Sequence, residues 1–159
     1  MSDFPTQISE NVNNDFVIIA GVDFREKLRI ADPSKPNPDY PASSNFEFLG
    51  KEIDNISFQM DIRDKPFRDG KLIHRLDTDI GNIVKEPDYT DAPTNTADNE
   101  LRGFIELHID DLVTVEERFH ENKGVLYFDL FQISDDGSED NVKIMKGCIT
   151  TENSLTEIT

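Results

Sequence analysis

Three histidines, one cysteine and 33 acidic residues are the side chains from which this 159-residue chain could build a reactive site. A hydrolytic triad joins a nucleophile, an imidazole and an acid, and a sequence betrays it only through a local signature around the nucleophile. His74, His108 and His120 stand in no such signature, and there is no Gly-x-Ser-x-Gly elbow. Phosphate-cradling loops combine an early glycine with a closing Gly-Lys-Ser/Thr. Gly50-Lys51 and Gly70-Lys71 lack both the early glycine and the hydroxyl residue, so they read as ordinary turns. His108 alternates with Leu107 and Ile109, which places it on the wetter face of a strand as a surface residue rather than a base or ligand.

Carboxylate clusters raise the question of calcium. Asp77-Thr78-Asp79-Ile80-Gly81-Asn82 begins like a loop with oxygen ligands at alternate positions, and Asp135-Asp136-Gly137-Ser138-Glu139-Asp140 concentrates four carboxylates. An EF-hand takes its oxygens from fixed positions ending in a distal bidentate Glu, and neither stretch matches. The second reads as a hairpin whose Asp and Gly residues supply the turn, with a structural cation as the competing reading. Paired carboxylates for glycoside cleavage are defined by a separation in space, and no Trp sugar platform accompanies them here. The single Cys148 closes no internal disulfide and builds no zinc site alone. Within Val142 to Thr150, a period of two sets it on the face of Val142 and Ile144, as a small buried filler. The expectation is a protein that is not an enzyme, with no catalytic, cofactor-binding or metal-ligating residue and no cofactor.

Composition narrows the class of partner. A formal net charge of -17 opposes direct contact with nucleic acid, whose binding draws on cations that release condensed counterions. Arg25, Lys27 and Arg29 fall on alternate positions opposite Phe24, Leu28 and Ile30, giving either a solvated strand face or a dock for the acidic surface of another subunit. No apolar run approaches the roughly 20 residues that span a bilayer. The start, Met1-Ser2-Asp3-Phe4-Pro5, has neither a basic nor an apolar region, so a soluble chain without a secretion signal is expected. Eleven Phe and no Trp imply a core of Phe, Ile, Leu and Val.

The elements that would position these groups read as strands. Residues 1–14 are polar and aperiodic, a flexible N-terminal arm ahead of one domain over 15–159. Asp15 to Gly21 and Val22 to Ile30 suggest a hairpin or a strand broken at Gly21. Pro33, Pro36, Pro38 and Pro41 make 31–45 an extended segment of a long loop over 31–55. Ile56 to Arg63 is the cleanest alternation in the chain. Weaker strands follow at Lys71 to Leu76 and Asp79 to Val84, and a second long loop occupies 85–100. Leu101 to Ile109 alternates, Asp110 or Asp111 caps a short crossover helix through Phe119, and Val125 to Ile133 is apolar on both faces. About seven or eight strands are expected, in an all-β fold whose turn signals fit a sandwich or a barrel.

The order Ile19-Ala20-Gly21-Val22-Asp23-Phe24, Phe48-Leu49-Gly50-Lys51 leading into Ile56 to Lys65, Gly103-Phe104-Ile105-Glu106-Leu107-His108-Ile109, Leu112-Val113-Thr114, Tyr127-Phe128-Asp129-Leu130 and Gly147-Cys148-Ile149-Thr150 covers most of the chain from Ile19 onward. In that order the chain resembles the small β-sandwich structural proteins of tailed-bacteriophage virions, especially the immunoglobulin-like amino-terminal domain family of baseplate upper proteins. The resemblance implies a single immunoglobulin-like antiparallel β-sandwich with one short crossover helix and two long loops. It also implies a non-enzymatic component of a tail, baseplate or neck. Such a component assembles through its loops, sheet edges and N-terminal arm with other virion proteins and with copies of itself, in a particle built in the host cytoplasm. Phe4, Tyr40, Phe46 and Tyr89, apolar or amphipathic groups in otherwise polar segments, would either be buried on such neighbours or pack over the domain's own core. A capsid decoration protein is one alternative. A carbohydrate-binding module for host-surface recognition, using Tyr40 and Tyr89, is another.

Overall fold

The computed structural model describes residues 6–8, 12–36, 48–86 and 103–153. Where the expected flexible arm is described it is sheet: β1 (Thr6–Ile8) and β2 (Val12–Asn13) are short strands, followed by β3 (Phe16–Ile19). The predicted hairpin at Gly21 does not form, because β3 and β4 (Phe24–Pro36) belong to different sheets. Gly21, at φ 81, turns the chain from one to the other. Pro33 and Pro36 do not end β4 either. Its last residues are exposed and meet β5 (Phe48–Gly50) only at Ala31↔Gly50 and Pro36↔Phe48, an irregular margin where a missing N–H removes no ladder bond.

The remaining elements are β6 (Ile56–Arg63), β7 (Leu72–Asp77), β8 (Ile83–Glu86), β9 (Phe104–Ile109), the one-turn helix α1 (Asp111–Thr114), β10 (Val125–Ser134) and β11 (Val142–Glu152). Eleven strands thus stand among the described residues, more than the sequence suggests, because the N-terminal segment and β5 add short edge strands. Residues 37–47 and 87–102 of the predicted loops lie outside the described residues, as do Phe4, Tyr40, Phe46 and Tyr89.

Two sheets face each other in an all-β sandwich. The first has the order β1-β4-β9-β8 with β5 also on β4; the second has β2-β11-β10-β6-β7 with β3 also on β11. β6 carries the reason for this layering. Ile56, Phe58, Met60 and Ile62 are all buried, while Ser57, Gln59, Asp61 and Arg63 stay half-exposed on the other face. Its neighbours continue the same layer, with Met60 opposite Leu130 of β10 on one side and Leu76 of β7 on the other. Leu28, Ile105 and Leu107 answer from the first sheet. Phe16 spans the layers, edge-on to Phe24 at 5.5 Å and tilted against Phe128 at 5.2 Å. Each such side chain contributes about 1.5–3 kcal/mol through burial.

The crossover between sheets is fixed locally. Asp110 caps α1 by accepting the Leu112 N–H at 2.9 Å. The fully buried Thr114 hydroxyl accepts from the Gly21 amide at 3.1 Å and donates to the Val22 carbonyl at 3.1 Å, tying α1 to the β3–β4 turn. The expected helix through Phe119 is divided. Glu116 is extended at φ -64, ψ 139, and a separate 3-10 turn at Glu117–Phe119 then drives Phe119 into the core. Glu116 and Glu117 are exposed, as their positions suggest.

One irregularity in β11 decides what its outer face presents. Leu130 pairs with Met145 but Phe131 pairs with Lys143, so Ile144 is an extra residue and both Ile144 and Met145 are buried. The bulge shifts the alternation by one. Cys148 therefore sits half-buried on the outer face opposite Tyr127, and the expectation of a core filler beside Ile144 is incorrect. Further along, Gly147 lies so close to β2 that a Cβ would overlap the Asn14 carbonyl. Phe58→Ala should lower unfolding free energy by about 3–5 kcal/mol in urea titrations. Cys148→Ser should change it by less than about 0.5 kcal/mol, whereas a core thiol would give a larger loss.

Candidate functional site

The outer face of the second sheet forms a groove of about 900 Å³. Its floor follows from pairing register. Tyr127 of β10 lies between Arg63 and Cys148, Asp129 between Asp61 and Lys146, and Phe131 between Gln59 and Lys143. Lys143 and Lys146 are three residues apart and would face opposite sides of a regular strand; the bulge at Ile144 brings both to this face. The β6–β7 loop supplies the rim, where Phe67 is 70% exposed between Lys65 and Arg68. Five cations and two carboxylates therefore line a groove on a chain whose net charge is -17.

Asp61 and Asp129 face each other directly across β6 and β10, a like-charge pair that costs stability unless compensated. Arg75 of β7 compensates first, donating from Nε to Asp61 Oδ1 at 2.7 Å and from Nη2 to Oδ2 at 3.1 Å. Arg63 Nη2 approaches the same carboxylate at 3.4 Å while its Nη1 donates to the Gly70 carbonyl at 2.8 Å. Lys143 Nζ lies 3.8 Å from Asp129 Oδ2 and 5.7 Å above the Phe131 ring. Burial raises the Asp129 carboxyl above its usual range; the Asp61 charge adds to this and Lys143 opposes it. Among the described residues the groove offers no imidazole beside Cys148, hence no nucleophile–base pair. Its cations and rings suit an extended anionic ligand with some apolar surface.

The other singled-out residues serve elsewhere. His120 Nε2 lies 2.8 Å from the Thr114 carbonyl oxygen. His74 Nδ1 is 3.2 Å from Arg118 Nη2, with its ring 5.5 Å from Phe119. His108 is more buried than a surface residue would be, 25% exposed, and its Nε2 has no hydrogen-bond partner. It stands with Asp23 and Asp110 in a group whose ligand atoms all lie within 4.8 Å of one another. Asp23 Oδ1 already accepts the Asp111 amide at 2.8 Å while its Oδ2 lies 3.8 Å from His108 Nε2, and Asp110 Oδ1 accepts the Leu112 amide. A divalent cation there would take three protein ligands and complete its shell with water.

The two acidic stretches weighed for calcium are held as turns. Asp77 Oδ1 accepts the Ile80 amide at 2.6 Å, and Asn82 Oδ1 accepts the Asp77 amide at 2.8 Å. Asp136 Oδ1 accepts the Ser138 amide at 2.9 Å and the Ser134 hydroxyl at 3.0 Å, and the Ser138 and Ser134 hydrogen bonds hold its carboxyl below the usual range. The basic stripe of β4 is not a uniform solvated face. Arg25 pairs with Glu106 at 2.8 Å, Lys27 is half-buried, and Arg29 is only 2% exposed. Opposite Arg29, Phe104 is also fully buried, so this end of the sheet is covered on both sides.

Sequence reasoning missed the groove. The one signal was that Tyr127, Phe131 and Ile133 make the second face of β10 too apolar for a solvated surface. Comparison with protein-family models and with curated proteins finds no match to this chain.

Burial, and then the Arg118 charge, hold the His74 pKa below 6.5, with Glu116 opposing. The unfolded chain therefore takes up this proton at higher pH than the folded one. Unfolding free energy should be greatest above the ordinary value and fall as pH drops from about 7 toward 5. His74→Gln should flatten that slope in urea titrations across the same range, and identical slopes for both proteins would remove His74 as its source.

Proposed function

We propose that this chain is a non-enzymatic assembly protein, a structural component of a tailed-phage virion that holds its neighbours through the groove on the second sheet. The observation that carries the assembly part is the concentration of cations and aromatic rings there, on an otherwise strongly acidic chain and without a nucleophile–base pair among the described residues. Charge segregation of this kind favours one class of partner, an acidic surface. The virion setting rests on the resemblance of the sequence motifs, and a place in the tail, baseplate or neck is preferred over capsid decoration on the same ground.

Net charge argues against direct nucleic-acid binding, since 33 acidic residues against 16 Lys and Arg repel a phosphate backbone. A second reading, an anionic-glycan module, draws on Tyr127 and Phe131 lying among those cations. Particles purified from a lysate that produces the protein should contain it in a fixed ratio to the major structural proteins by quantitative mass spectrometry. Lys143→Glu/Lys146→Glu, with a wild-type far-ultraviolet circular dichroism spectrum, should be depleted at least tenfold from those particles. Absence of the wild-type chain from particles, with binding to sulfated oligosaccharides on a glycan array, would favour the second reading.

A further inference from the structure

The second sheet is electrically polar along its strands. β6 and β10 are antiparallel, with Arg63 opposite Tyr127 at one end and Ile56 opposite Ser134 at the other. At the first end the β6–β7 loop carries Lys65, Arg68 and Lys71 around exposed Phe67, against Asp64 and Asp69; Asp64 is engaged by the Lys71 amide, and Lys65 and Arg68 line the groove itself. The β10–β11 hairpin closes the opposite end, and Asp135, Asp136, Glu139 and Asp140 are all exposed there. At about 3.3 Å per residue, the length of β10 separates the two ends by roughly 25–30 Å. A molecule's own hairpin therefore does not reach the cationic end of its own groove.

We infer that copies of this chain associate head to tail, the Asp135 to Asp140 hairpin of one entering the cationic end of the groove of the next. This rests on the assembly reading above and names the partner. Charge complementarity selects the occupant: the acidic turn and the cationic rim belong to the same chain, so every copy supplies both halves. The turn is preorganised, because Asp136 accepts hydrogen bonds from Ser138 and Ser134, Glu139 N–H donates to the Ser134 hydroxyl, and Glu139 is anchored by Lys51 at 2.9 Å. Ordering it on binding therefore costs little entropy. Two different surfaces meet in such a contact, so it repeats until rotation closes a ring or a filament grows.

Sedimentation velocity tests the contact on the full chain. Wild type should form concentration-dependent oligomers at low salt, up to about 100 µM, that dissociate at about 0.5 M salt. Lys65→Glu/Arg68→Glu and Asp135→Lys/Asp140→Lys, each with a wild-type circular dichroism spectrum, should be monomeric alone. Mixed in equal amounts, they should regain the oligomers, because each then meets an oppositely charged surface. A wild-type monomer at all these concentrations, or variants that associate as wild type does, would overturn the inference. A monomer still recovered in purified particles would overturn it while leaving the assembly reading intact, and a monomer that binds sulfated oligosaccharides would transfer the groove to a glycan.

Discussion

The register of β6 is the constraint on which the rest depends. This strand lies inside the second sheet, paired on both sides, and its alternation sends Phe58 and Met60 inward and Asp61 and Arg63 outward. A slip of one residue against β10 would exchange the sets, placing two charges between the sheets and four apolar side chains in water. Burying an unpaired charge costs several kcal/mol, so the slip is closed off by electrostatics as firmly as by hydrophobic burial. Core and groove are thus two faces of one decision.

What that decision leaves on the outer face is a problem in charge. Asp61 and Asp129 are set opposite one another by the register that aligns Met60 with Leu130. The core fixes the carboxylates, and the cations follow as compensation: Arg75 grips Asp61 in bidentate fashion, and Lys143 stands near Asp129. Arg75 and Asp61 are nevertheless partly exposed, so this pair is worth little more than a surface salt bridge, and its larger effect is to neutralise Asp61. Lys65, Arg68 and Lys146 have no carboxylate within ion-pair distance among the described contacts, and they give the groove its surplus of positive charge.

The sequence made β6 and the Asp135 to Asp140 turn legible, because an eight-residue alternation and an Asp/Gly cluster each have one physical solution. Other elements depended on information that a linear reading does not hold. Proline content could not reveal that β4 continues along an irregular margin to Pro36. Period two misplaced Cys148 because bulges leave no mark in composition, and the extra residue at Ile144 is visible only when β11 is laid against β10. The same bulge explains why the groove was not foreseen: Lys143 and Lys146 look like residues of opposite faces until Ile144 and Met145 are both turned inward. Arg29 failed in a third way, since it and its partner Phe104 on β9 are both buried on a face that alternation assigns to water.

Edge chemistry then bears on how such a sandwich can meet a partner. Unpaired strand edges invite another chain to add a strand, and folded proteins cover or blunt them. Here β2 and β3 run parallel to β11 and cover it from Met145 to Glu152, while β1 and β5 lie against β4. On β7, the Arg118 guanidinium donates to the Ile73 carbonyl and Asn82 Nδ2 to the Arg75 carbonyl at 3.2 Å. Backbone acceptors that would template a new strand are already occupied along these three strands. The N-terminal segment, rather than reaching outward as an arm, pairs with the sheets wherever it is described, β1 on β4 and β2 on β11. The proposed recognition through the groove would run through side chains on the face that β6, β10 and the bulged β11 build together, while β1, β8 and β2 stand at the ends of the sheet orders.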